Sequence, residues 1–454
     1  MWYALLVVGA VDGLPGPNLD GITAAGLSAT DWLTVLLIVS LAGDLARDGF
    51  ARLRGSEIAR WVAVWSAAFI FLWAVTVARS WVISDIPLKH AIHFGRAFIY
   101  VGVLIPLFAG ALADKRVRTR FLTAAALAAA LIAVTESVAT VHPGALSLFV
   151  HVNQSLAQDG IIRLYTDALA LVVAAFTIGL GAALLASDRR VRFAGAGVAV
   201  VCMVDIALSL TRALYLGVVV GVVLAVAIWL IRPSPESRLA RRQLARILAL
   251  LAIGVALVVA IHPPSISNSA VNGVASRAVS LFTAVSTGNT AQSTIAIRQQ
   301  EASVLEHILG SQWPFGLGFL DNRNRYFVGL PAWDAGSILD SDVGVLNVVM
   351  TMGVLGAVVE YFPFVGVAFV LARRRLFYGE AFSQAWLAFG VFAWLLLALA
   401  SSVTLTLLFN PTSVVVSAAV VGLGVSVVDR QHRSGPDGRL ARGRRSSDAY
   451  LARL

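Results

Sequence analysis

The sequence predicts an all-α polytopic membrane protein of about twelve transmembrane helices with one large extracytoplasmic loop, and three observations lead there. The chain is 58% hydrophobic and only 13% charged, with a mean hydropathy of +0.82; this composition excludes a soluble globule and a disordered polymer. Apolar windows of about 17–25 residues, long enough to cross about 30 Å of hydrocarbon as a helix, recur along it. Basic residues gather in alternate connections between those windows, as the positive-inside rule requires.

The first element, Met1–Val11, is apolar but short, lacks a basic leader and runs into "DGLPGPNLDG"; it reads as a short uncleaved helix and not as a signal peptide. Eleven further windows follow at 31–46, 59–78, 91–112, 121–141, 165–187, 193–209, 212–231, 246–262, 343–372, 383–409 and 411–429. With both termini inside, the inner connections 47–60, 114–120, 188–192, 232–246 and 373–375 and the tail 430–453 hold 4, 4, 3, 5, 3 and 7 Lys/Arg, which is 26 of the 35. The net charge of +10 therefore marks topology and not a nucleic-acid surface. Residues 1–262 form helices one to nine, 263–341 the large outer loop, 342–429 helices ten to twelve, and 430–454 a basic cytoplasmic tail. The tail is Gly/Ser/Arg-rich, and disorder with lipid-headgroup contact is expected of it. The single cysteine, Cys202, rules out an intrachain disulfide framework.

The other nine basic residues, Arg79, Lys89, Arg96, Arg163, Arg212, Arg277, Arg298, Arg323 and Arg325, fall on the outer side, where topology does not ask for them. The loop that carries several of them is long for a compact bundle, which points to function or disorder. Order is indicated by "STIAIRQQEASVLEHILGSQW", which sets Ile295, Ala302, Leu305 and Leu309 at helical spacing with Arg298, Glu301 and His307 on other faces. An amphipathic helix at the membrane surface is expected. In "LKHAIHFGRAFIY", Lys89, His93 and Arg96 share one helical face. Snorkelling to headgroups is the structural alternative for Lys89 and Arg96. His90 and His93 have a metal-compatible spacing but no acidic or cysteine partner nearby.

Arg212 stands in "ALSLTRALYLGVV", inside a run otherwise almost purely apolar. An ionisable group in a membrane segment costs about 2.5–3.5 kcal/mol at the helix centre and is a functional candidate by default. Asp205, seven residues earlier, offers a structural ion pair, as Asp167 does for Arg163 at i+4. Several arginines at one membrane face repel one another unless a polyanion neutralises them. Phosphate suits guanidinium through bidentate, charge-assisted bonds. A lipid with an anionic head and an apolar tail, such as a polyprenyl diphosphate, meets both requirements.

"SLTRALYLGVVVG" resembles the Ser/Thr-Arg step of the O-antigen ligase and Wzy-type O-antigen polymerase superfamily. "IRQQEASVLEHILGSQWPFGLGF" is similar to that family's arginine, interfacial helix and P-x-G-x-G turn, here Arg298, Pro314, Gly316 and Gly318. "DVGVLNVVMTMGVLG" resembles the start and G-x-x-G end of the helix that follows, with Gly353 and Gly356 matched, Leu346 on the leucine and Asp342 on the histidine. The resemblance implies a GT-C-type glycosyltransferase that needs no metal or other cofactor. It moves glycan from an undecaprenyl diphosphate-linked oligosaccharide to a glycan acceptor at the outer face of the bacterial cytoplasmic membrane, in the company of membrane lipids and envelope polysaccharide assembly proteins. Arg163, Arg212 and Arg298 would bind the diphosphate, with Arg96 and Lys89 beside them, and Asp342 would be the general base. Ligases carry histidine at that position, so aspartate favours the polymerase.

Asp342 is also a natural helix N-cap. Asp334, Asp340 and Glu301 are alternative bases, and "DSD" at 340–342 has the shape of a metal-binding D-x-D. "PFGLGF" reads as a tight turn, with a phosphate cradle as the alternative. A secondary transporter or lipid-carrier flippase, and a non-catalytic lipid-binding partner, are the readings from other classes.

Overall fold

The computed structural model describes residues 2–12, 22–24, 27–48, 50–54, 57–141, 154–158, 161–166, 168–209, 212–231, 303, 306–319, 344–373, 384–402 and 413–434. Among these residues the fold is all-α apart from two small antiparallel pairs. In order come α1 (Trp2–Ala10), β1 (Thr23–Ala24), β2 (Leu27–Ser28), α2 (Ala29–Arg47), α3 (Ala51–Arg54), α4 (Glu57–Val82), α5 (Leu88–Ala111) and α6 (Lys115–Val141). Then follow β3 (Gln154–Gln158), β4 (Ile161–Tyr165), α7 (Leu169–Leu185), α8 (Arg189–Leu208), α9 (Arg212–Ile231), α10 (Gly344–Arg373), α11 (Ala385–Ser401) and α12 (Ser413–Ser434). Among the described residues six helices, α2, α4, α5, α6, α8 and α10, are long and apolar enough to cross a membrane; α7, α11 and the apolar part of α12 are shorter. The expected window at 246–262, most of the loop 263–341 and the tail beyond Ser434 lie outside the described residues.

Boundaries follow local chemistry. Ser28 caps α2 in a reciprocal box with Asp31, which satisfies N–H groups that a helix start leaves open. Asp188 caps α8 through the Arg190 N–H, and Asp114 accepts from the Arg116 and Val117 N–H groups where α6 begins. The expected first helix is present, but its nine residues rise only about 14 Å. It is buried against α2 and α6. The structure adds the β3–β4 hairpin, which the sequence reading missed. Its register pairs Leu156 with Arg163 and Gln158 with Ile161.

Two groups of helices pack most extensively, α4–α5–α12 with α10 alongside, and α7–α8 with α9–α11. In the second group small residues let backbones approach: a side chain on Gly179 would strike Gly195 O, and one on Gly221 would strike Leu397 of α11. Such contacts drive helix association where lipid removes the hydrophobic incentive. In the first group the helices are interrupted. Pro106 of α5 and Pro363 of α10 each release the carbonyl four residues earlier, Gly102 and Val359. Ser66 of α4 donates to Gly102 O, and Trp65 Nε1 of the same helix donates to Val359 O at 2.7 Å. One helix thus supplies both missing donors.

A third interruption is larger. Gly353 breaks α10 with φ 71° and ψ −177°, a region that L side chains rarely enter. The segment 313–319 docks into the break: Leu317 N donates to Met350 O at 2.7 Å and Gly318 N to Thr351 O at 2.9 Å. In return Val354 N donates to Trp313 O at 3.0 Å and Leu355 N to Pro314 O at 3.2 Å. Irregular backbone survives at membrane depth only where protein satisfies it, and here all four groups are satisfied.

Candidate functional site

The bundle has two ends. At the basic end stand Arg47, Lys115, Arg116, Arg120, Arg189 and Arg190; the far end holds the starts of α2, α5, α7, α9, α10 and α12 and the finishes of α4, α6, α8 and α11. The far end carries the described candidate residues Lys89, Arg96, Arg163 and Arg212.

At its centre are two buried carboxyls. Glu136, in the last turns of α6, is 5% exposed, and Asp205, in the last turn of α8, is 4% exposed. Glu136 lies beside Asp205 and beside Thr166, just past β4. Asp205 Oδ2 has no hydrogen-bond partner among the described residues. This contact ties together the segments that carry two predicted arginines: Arg163 stands on β4, three residues before Thr166, and Arg212 is the first residue of α9, after a short turn from α8. Tyr215 of α9 donates its hydroxyl to Ala207 O, which closes that turn. α11 ends beside the same place, because Ser401 and Leu397 border Gly217 of α9. α10 begins there as well, with Val345 N donating to Ser402 O at 3.1 Å.

The helical spacing behind the two expected ion pairs is interrupted. α8 stops at Leu208 and α9 starts afresh at Arg212, and Asp205 lies beside Glu136. Arg163 lies in a strand, and Asp167 is outside the described residues.

Arg96 is held within the protein. Its Nε donates to Asp31 Oδ1 at 2.9 Å, and its Nη1 lies 2.8 Å from His93 Nε2 and 2.9 Å from His93 O. Tyr100 adds a donor to Asp31 at 3.2 Å, and Ser28 supplies its N–H at 3.1 Å and its hydroxyl at 2.9 Å. Asp31 is 3% exposed, and this net of bonds sutures the start of α2 to α5. Lys89 is exposed in the first turn of α5. Arg79 is likewise engaged, donating to Gln312 Oε1 and Gly316 O, each at 2.9 Å, with its guanidinium over Phe315.

The "PFGLGF" segment is a docked turn and not a phosphate cradle. Phe315 N and Gly316 N donate to Gln312 O, the next two N–H groups go to α10, and Phe319 N donates to Ser80 Oγ at 2.7 Å. No N–H from 315 to 319 is left for an anion. Before it, Ser303 and residues 306–309 are helical and lead into a 3-10 turn, Gly310–Gln312. Arg298, Glu301, Asp334, Asp340 and Asp342 lie outside the described residues.

Sequence reading missed Glu136, and also Glu360, which is fully buried near the middle of α10 with both carboxyl oxygens unpartnered among the described residues. Trp394 Nε1 of α11 and Ser417 Oγ of α12 are buried and unpartnered too. The signal was present in each case: a single acid inside an apolar window, in "AVTESVAT" and "AVVEYFPF", is the pattern that marks intramembrane function. No protein-family model and no curated protein matches this chain.

Proposed function

We propose that the chain is a polyprenyl diphosphate-dependent membrane glycosyltransferase, a polysaccharide polymerase in preference to a ligase, which works at the far end of the bundle with the basic end facing the cytoplasm. The observation that carries this reading is the bridge from Glu136 to Thr166 and Asp205, which joins the segments bearing Arg163 and Arg212. Both arginines start from regular structure, a strand and a helix start, so their backbones are fixed before a ligand arrives. Preorganised cations of this kind stabilise charge that develops on a leaving diphosphate. In the reaction the acceptor hydroxyl oxygen bonds to the anomeric carbon, the bond from that carbon to the diphosphate oxygen breaks, and the electron pair leaves with the diphosphate. The hydroxyl proton passes to a carboxylate; Asp342 is the proposed base, and the buried pair Glu136 and Asp205 is the second choice. Arg298 completes the cation set.

The test is glycan elongation in proteoliposomes supplied with a polyprenyl diphosphate-linked oligosaccharide. Arg212→Ala is expected to abolish elongation in folded protein. Lysine at Arg163, Arg212 or Arg298 should restore little, because paired donors are lost. A triple alanine variant that still elongates glycan would sink the proposal.

A transporter is the second reading, and one observation favours it: α10 is interrupted at Gly353, and an acid lies two turns further along it at Glu360. Broken helices and mid-membrane carboxyls are the usual parts of a carrier. Movement of the lipid-linked oligosaccharide across the bilayer without elongation would establish it.

A further inference from the structure

A groove runs between α6, α7 and α8 from the basic end toward the middle of the bundle, with a volume of about 260 Å³. Its walls are apolar, with Phe121, Leu122 and Ala126 on one side, Val191 and Ala194 on the other, and Trp386 also in the lining. From Ala182 to Leu171, both in its wall, the helical rise gives a depth of about 16 Å. Leu127, in its lining, is 66% exposed, so it opens on the surface that faces lipid.

The mouth is strongly positive. Lys115, Arg116, Arg118 and Arg120 precede the groove on α6, and Arg189, Arg190 and Arg192 on α8, against two acids, Asp114 and Asp188. Both acids accept helix-start N–H groups. Arg192 is turned back on Ala186 O by Nε at 3.0 Å and Nη2 at 2.7 Å, and Arg118 donates to Leu112 O at 3.3 Å. Lys115, Arg116, Arg120, Arg189 and Arg190 remain exposed. Arg190 is four residues before Ala194 and so lies on the groove side of α8.

We propose that this groove binds one anionic diacyl phospholipid from the leaflet at the basic end, with its phosphate held among Lys115, Arg116 and Arg190 and one acyl chain laid along the apolar walls. An excess of exposed cations at the mouth of an apolar slot selects a head with net negative charge over a zwitterionic one. An acyl chain is the ligand part that suits walls with almost no polar group. The site stands at the opposite end from the proposed transfer site and does not depend on that reading.

The test uses the full chain in nanodiscs of phosphatidylglycerol and phosphatidylcholine mixed in equal parts, with bound lipid counted by native mass spectrometry after release. Retained phosphatidylglycerol is expected to exceed retained phosphatidylcholine by at least about fivefold per engaged cation. Lys115→Gln with Arg190→Gln should remove that preference. Ala194→Trp, at an exposed groove position that leaves the charge unchanged, should remove the bound lipid itself. Equal retention of the two lipids by the unaltered protein overturns the proposal without recourse to any variant. A preference that survives both variants overturns it too, as does displacement of the phospholipid by an equal concentration of a polyprenyl monophosphate.

Discussion

Two regions of this bundle treat buried polar groups in opposite ways. Around α4, α5 and α10 every interruption of the helices is met: Ser66 and Trp65 serve the carbonyls freed by Pro106 and Pro363, and segment 313–319 fills the break at Gly353. Around α6, α8 and α9 the Glu136–Asp205 pair is buried with the Asp205 Oδ2 unpartnered among the described residues, and the first region has one exception of its own in Glu360 of α10, whose carboxyl has no partner among them. An unsatisfied buried polar group costs about 1–3 kcal/mol. The backbone groups freed at these interruptions find partners, whereas the buried acids keep oxygens without one among the described residues, which marks those acids as the places to test for function.

The contrast breaks most readily at Gly353. Gly353→Ala places a side chain against Pro314 O and forces it into a left-handed backbone; overpacking and strain together cost about 3–5 kcal/mol. Thermal unfolding in detergent is expected to show a protein that barely folds. Next, Asp31→Ala strips Arg96 and Tyr100 of their shared acceptor and α2 of part of its cap, for about 3 kcal/mol. Third, Trp65→Phe should cost about 1–3 kcal/mol by orphaning Val359 O. That cost should shrink when Pro363→Ala returns the helical N–H, and a double-mutant cycle measures the coupling. Smallest in stability and opposite in sign, Glu360→Met removes a bare carboxyl for about 1–2 kcal/mol of gain. If Glu360 is functional, the gain should come with lost elongation or lost transport in proteoliposomes. An activity left intact would show the carboxyl to be idle.

Helix positions are legible because the apolar window is a one-dimensional property: 212–231 is α9 as it stands, 343–372 is α10 displaced by one residue, and 59–78 gains a few residues at each end in α4. Pairings across the bundle were not legible, since nothing in "RWVAVWSAAF" says that Trp65 serves Pro363 and Ser66 serves Pro106. The hairpin could have been read, because Asp159-Gly160 between two short strands is a hairpin signal; apolar windows on both sides drew attention from it. Among candidate residues, the sequence placed Arg163 and Arg212 at one end of the bundle, but the helical spacings used to weigh Asp167 and Asp205 as their partners do not carry across a strand or a helix boundary.

The double service of α4 has a mechanical consequence. Any movement that pulled α5 or α10 away from it would expose a naked carbonyl to hydrocarbon, where no water can take over. These three rods must therefore travel as a single rigid block. Under the proposed function, the opening that admits a lipid-borne sugar would then fall to the seam between that block and the closely nested α7, α8, α9 and α11.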